Sequence, residues 1–311
     1  MSAHAPRSID EYLKQLRGAL QREDPALVQD ALYDAEEYLR AEVAAHPGKS
    51  EADVLELIAS TYGAPDEVAA AYRDTEAKVK AALKTPVPAA SASASGWQRF
   101  FGVLLDQRAY TSLFYMLLSL ATGVFYFTFV VTGLSLSAGF GVLIIGIPFF
   151  LAFIGMARVI ALGEGRLLEA VTGERMPRRP VHPGPPAGWW TRIGNMLTDA
   201  RTWTTLLYFL IMLPLGIIYF TIAVVGLALG LRAVSSPVVL LTHDLGWLPA
   251  QFPVDMISLS NWDVHSPETT VGALFCVVIG VLILTVTMHA ARAIARGHAR
   301  LAKALLVVPG A

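Results

Sequence analysis

The chain has 311 residues, of which 54% are hydrophobic and only 16% charged, well below the roughly 25% charged residues of an ordinary soluble domain. The near-neutral total of −1 hides an acidic head with ten Lys and Arg against sixteen Asp and Glu up to Lys84, on a body with fourteen against nine. Cys276 is the only cysteine, which excludes an intramolecular disulfide and a cysteine-built zinc site.

In chain order, Ser8 and Glu11 have the spacing of a capping box, and Ile9, Leu13, Leu16 and Leu20 follow on one helical face. Asp24-Pro25 predicts a second helix, with Asp as N-cap and Pro where its missing N–H costs nothing. Its apolar face carries Leu27, Ala31, Ala35 and Leu39, and Pro47-Gly48 ends it. Ser50 with Asp53 starts a third helix that stops at Gly63, and a fourth begins at Pro65. No charged region leads into an apolar one at the N-terminus, so the head is expected to stay in the compartment where it is made. Asp30, Asp34, Glu36 and Glu37 of the second helix form a candidate docking surface for a protein partner; the plainer reading is a solvated helix face.

The order of these pieces, "DEYLKQLRGAL", "DALYDAEEYLRAEV" and "YGAPDEVAAAY", resembles the HAAS signalling domain of bacterial membrane proteins over residues 8–73. That family reads Gly-Asp-Pro where this chain has Gly63-Ala64-Pro65, which weakens one cap. The resemblance implies a signalling head and a PadR-type transcriptional regulator as a cytoplasmic partner. Residues 85–96 are rich in Pro, Ala and Ser and read as a flexible tether between a head of residues 1–84 and a body of 97–311.

The body matches itself at a shift of 93, which aligns Asp106, Arg108, Gly123, Tyr126 and Gly133 with Asp199, Arg201, Gly216, Tyr219 and Gly226. A second stretch matches at a shift of 134, aligning Gly146, Arg158 and Arg166 with Gly280, Arg292 and Arg300. Repeat one is read as 97–172 and repeat two as 190–305, with an insertion at 232–270. Each copy holds two apolar runs, about Ser112–Leu134 and Phe140–Leu162, then Thr205–Leu231 and Val271–Ala291. Each run is near the ~20 residues that cross a hydrocarbon core.

The expected fold is therefore all-α: a small cytoplasmic helical domain joined to a four-helix transmembrane bundle of two parallel repeats. Amphipathic interfacial helices begin each copy at Trp97 and Trp190. The positive-inside bias places both termini in the cytoplasm of a bacterial inner membrane, since only Arg232 of the fourteen body Lys and Arg then lies outside. A tight outer turn is expected at Ser135–Gly139, and a cytoplasmic loop at Gly163–Thr202.

Asp106, Arg108, Asp199 and Arg201 are candidates for pairing across the two copies where the chain meets the membrane; a helix cap with a snorkelling Arg is the alternative. Gly133, Gly226 and Gly230 suit close helix packing. Trp247, Phe252 and Trp262 make the insertion too apolar for a free loop, and are read as an interfacial anchor or as a cap over an apolar ligand. His289 is an ionisable residue inside the last apolar run. The His and acidic residues of the insertion lack ligand spacing, so no metal or cofactor is expected.

The repeated pattern through Tyr110, Gly123, Tyr126, Phe127 and Gly133, with Gly146-Ile147-Pro148 after it, resembles the sensor domain carried by many actinobacterial histidine kinases. The second copy departs at the end, reading Gly280-Val281-Leu282. The resemblance implies membrane sensing. The leading expectation is a non-enzymatic sensor that responds to membrane lipid or an apolar small molecule and signals through the head, without direct nucleic-acid contact. A structural or lipid-organising protein is the alternative, a transporter a more distant one, and a homo-oligomer is left open.

Overall fold

The computed structural model describes residues 5–83, 95–141, 146–179, 189–247, 257–259, 262–264 and 270–307. It is helical almost throughout: α1 Ile9–Ala19, α2 Pro25–Ala45, α3 Glu51–Ile58, α4 Pro65–Leu83, α5 Gly96–Phe101 followed by a 3-10 turn Gly102–Leu105, α6 Gln107–Phe140, α7 Gly146–Thr172, α8 Trp189–Thr198, α9 Ala200–Val234, α10 Ser236–Asp244 and α11 Thr270–Leu306. A short antiparallel ribbon, β1 Ile257–Leu259 with β2 Trp262–Val264, lies in the insertion. It is an exception to the all-α expectation.

Two compact units divide the chain, one of Met1–Ser91, Thr132–Tyr208 and Ala299–Ala311, the other of Ala92–Val131 and Phe209–His298. The long helices α6, α9 and α11 contribute to both.

In the first unit, α1 to α4 close around Leu16, Leu20, Ala31, Ala35 and Leu39, all fully buried. The caps decide where these helices begin. The Ser8 hydroxyl accepts from the Glu11 N–H, but the Glu11 carboxylate takes the Arg7 N–H, so the expected box is only half formed. Ser50 and Asp53 form the full reciprocal box. Gly63 turns the chain with φ +99°, a conformation that favours glycine. At the weakened cap, the Glu67 carboxylate still takes the Ala64 N–H at 3.0 Å, so the half of the box that does not need a side chain at 64 is formed.

Around this core, burial raises the phenols of Tyr12 and Tyr72 and pushes Tyr62, stacked on Tyr38, up to about 12. A phenol raised in the folded state holds its proton more tightly there than in the unfolded chain. Its contribution is therefore complete below the ordinary value of 10 and is lost as pH rises toward about 12. Alkaline unfolding of the head, followed by phenolate absorbance, should set in over that window and flatten in Tyr62→Phe. An unchanged profile in that variant would contradict the assignment.

The membrane part of this unit is built on α7. Pro148 stands in its first turn, where its missing N–H breaks no interior hydrogen bond. Gly133 of α6 lies against the Phe153 ring, leaving no room for a side chain. The helix boundaries differ from two expectations. α6 runs through Ser135–Gly139 to Phe140, so no turn occurs there. α7 continues to Thr172, and α8 follows at Trp189, so much of Gly163–Thr202 is helix. Both differences have one cause: small and polar residues end an apolar run without ending a helix.

In the second unit, α6 and α9 cross backbone to backbone. A side chain on Gly123 would meet the Met212 carbonyl, and one on Gly216 the Ser119 carbonyl. Gly226 faces Thr287, Gly230 faces Leu284, and Gly280 faces the backbone of Gly230 and Val234, which brings α9 and α11 together in the same way. Val103, Leu113, Met116, Ala223, Met288 and Ala291 form the apolar core of this unit. Outward, α6, α9 and α11 present Phe114, Phe125, Ile217, Ile218, Phe275 and Val278 as an exposed apolar surface, which is stable only against lipid.

Candidate functional site

The starts of α6 and α9 are built alike. Asp106 Oδ1 accepts the Arg108 N–H at 3.0 Å and Asp199 Oδ1 accepts the Arg201 N–H at 3.0 Å, so each aspartate caps the helix it precedes. The aromatic four residues on reaches back: Tyr110 donates its hydroxyl to the Leu104 carbonyl, and Trp203 its indole N–H to the Leu197 carbonyl. The other carboxylate oxygen of each aspartate takes a guanidinium. Asp106 pairs with Arg292 at 2.9 Å, and Asp199 with Arg158 at 3.0 Å.

The sequence singled out all four residues of this motif, but the partners of the aspartates are the arginines that match at the other shift. Arg108 is exposed. Arg201 is half-buried, and its Nη1 is buried without a hydrogen-bond partner, as is Nε of Arg158.

The acidic face of α2 is occupied within the chain. Past α7, the segment Gly173–Arg179 lies along it. Arg175 reaches Asp30 at 3.0 Å and also pairs with Glu76. Asp30 Oδ1 accepts the backbone N–H of Arg178 and of Arg179, at 2.9 and 3.0 Å. Arg179 pairs with Asp34 at 3.0 Å and lies 5.5 Å over the Tyr33 ring. Asp30 and Glu76 are buried, and burial pushes the Asp30 carboxyl up against the opposing pull of its N–H and Arg175 partners. Asp34 also accepts from the Tyr72 hydroxyl. Of the other two candidates, Glu36 is buried and pairs with Arg40, while Glu37 is exposed. Lys303, near the end of α11, pairs with Asp24 at 2.6 Å. The sequence reading counted Arg175, Arg178 and Arg179 only as charges that orient a membrane protein, and missed them as partners of the head.

A cavity of about 350 Å³ lies in the same unit. Arg158, Asp199, Arg201 and Thr205 line one part of it, and Val159, Leu162, Leu306 and Val307 give it apolar walls. Tyr33 of the head and Met176-Pro177 of the arginine segment complete it. Nearby, the buried Glu164 of α7 accepts from the Tyr208 hydroxyl at 3.0 Å, a buried carboxylate the sequence reading did not single out.

In the other unit, His289 faces the Phe100 carbonyl at 3.0 Å and stacks on its ring. The more deeply buried histidine is His298, packed between Tyr115 and Tyr219. Trp247 is exposed, Phe252 lies outside the described residues, and Trp262 is placed by its backbone in β2.

Four helices of 27 to 37 residues, long and apolar enough to cross a bilayer, together with a polar helical head, make this an integral membrane protein. The family described as "Putative sensor" matches residues 115–306, from the third turn of α6 to the end of α11, and the chain belongs to it. No curated protein and no solved structure matches the chain.

Proposed function

We propose that this protein is a non-enzymatic membrane sensor whose head signals by exchanging one acidic-face contact for another. In the resting state the face of α2 is held by Arg175, Arg178 and Arg179; in the signalling state it is released to a cytoplasmic protein. The observation that carries this reading is the buried cluster of Asp30, Glu76 and Arg175, which joins the head to the segment directly after a membrane helix. Any tilt or slide of α7 acts on that cluster first. Family membership supports the sensing half of the reading.

In this reading the head is a HAAS-type domain, its partner is a PadR-type regulator, and the body is a duplication. The shared construction at Asp106 and Asp199 supports the last point. The charge distribution supports a bacterial inner membrane with both termini cytoplasmic.

Two variants that both break the cluster separate this reading from a purely structural one. Arg175→Glu frees the head and leaves its acidic face intact, so the full-length chain, purified from native membranes, should carry more of a DNA-binding regulator. Asp30→Arg frees the head but spoils the face, and should carry less. Equal amounts with both variants would leave the head a structural element.

A further inference from the structure

We propose that the cavity between α7, the start of α9 and the end of α11 binds an anionic amphiphile of the membrane. A phosphate-type headgroup lies between Arg158 and Arg201, and the first part of an acyl chain lies along Val159, Leu162 and Leu306.

The charges on the wall set the sign of the ligand. Two guanidiniums face one carboxylate, and that carboxylate is fully engaged: one Asp199 oxygen takes the Arg201 N–H, the other takes Arg158 Nη2. Arg201 Nη1 and Arg158 Nε remain buried without an acceptor. With Asp199 engaged, the two guanidiniums leave this wall net positive, so the occupant that complements it carries negative charge.

The rest of the wall sets its shape. Leu162, Met176, Pro177, Leu306 and Val307 offer no polar group to a small inorganic anion, which would leave them uncovered. A volume of about 350 Å³ is within the range of small-ligand sites and suits a headgroup with part of a chain, not a whole lipid. Both arginines stand on helices long and apolar enough to span a bilayer, Arg201 in the first turn of α9 and Arg158 midway along α7 near the end of its apolar run, where the hydrocarbon core gives way to headgroups.

Tyr33 and Met176-Pro177 also line the cavity, so an occupant touches the docked head and the segment that holds it. Binding therefore favours the docked arrangement, and docking favours binding by the same factor. The site stands on its own geometry; this coupling rests on the signalling reading above.

The test uses the full chain in bilayer nanodiscs of phosphatidylcholine with graded phosphatidylglycerol, released for native mass spectrometry, with hydrogen exchange of α2 as a second readout. The wild type should retain a single phosphatidylglycerol in preference to phosphatidylcholine, and Arg201→Gln should weaken that retention about tenfold. Gly155 lines the same cavity, and a side chain there would meet nothing within 4 Å. Gly155→Leu thus fills the cavity with both arginines and the fold left in place, and should also abolish retention. Retention equal for the two lipids, or unchanged in Gly155→Leu, overturns the site. Displacement by inorganic phosphate alone, at concentrations matching the lipid, overturns the amphiphile in favour of a free anion. Selective retention with no change in α2 exchange keeps the site and overturns the signalling reading.

Discussion

Gly216→Val and Gly123→Val should each destabilise the protein by about 3 kcal/mol or more, at or above the upper end for an overpacked core, because the added atoms fall on backbone. Each glycine sits against a carbonyl of the opposite helix, four residues before the other glycine, so neither α6 nor α9 can yield without the whole helix moving. Gly230→Leu should cost less, since what it meets first is the flexible Leu284 side chain. Gly139 has nothing within 4 Å, so Gly139→Ala should be neutral or mildly stabilising through helix propensity. Thermal unfolding in mild detergent ranks the four. A Gly216→Val protein as stable as Gly139→Ala would mean that the two helices do not cross at these glycines.

The second large effect is expected at Arg175. Arg175→Ala leaves Asp30 and Glu76 buried without their shared cation, and losing one partner of a buried charge pair costs about 3–5 kcal/mol. Hydrogen exchange of α2 in the full-length chain should rise accordingly, while exchange in α6 and α9 stays as it was. Loss of Arg175 also removes two of the influences that lower the Asp30 carboxyl, so its pKa should climb further above the ordinary carboxylate value. A carboxyl raised in the docked state holds its proton more tightly there. Its contribution to docking is therefore complete in acid and declines as pH rises through the raised pKa, and in Arg175→Ala that decline should extend to higher pH. Asp30→Asn added to Arg175→Ala should recover part of the protection. Protection of α2 that is identical in wild type and Arg175→Ala would remove the cluster as the holding point.

What could be read in the sequence, and what could not, divides by range. Ser8, Asp24-Pro25 and the Ser50–Asp53 pair mark helix starts because a cap acts on its nearest neighbours, and the four apolar helices appear because hydropathy is summed along one segment. Partnerships across the fold leave no such local mark. Asp106 and Asp199 are visible as repeated caps, yet their ion-pair partners Arg292 and Arg158 come from helices distant in sequence. Gly123 and Gly216 are visible as a matched pair, but nothing in the match says that they belong to one crossing. Arg175, Arg178 and Arg179 looked like topogenic charge because their role depends on where α2 lies. The ribbon at Ile257–Val264 went unread because its alternation is too short to stand out from an apolar insertion.

The glycine crossing has a mechanical consequence. Helices locked by interdigitated side chains must repack to change their angle, whereas two backbones in contact can turn about each other with little rearrangement. The crossing at Gly123 and Gly216 is thus a fulcrum. The arm of α6 from Gly123 back to Gln107 is about 24 Å at 1.5 Å per residue, so a rotation of about 10° swings its end by about 4 Å. That end carries Asp106 and its pair with Arg292, where a displacement of that size is enough to part the two charges.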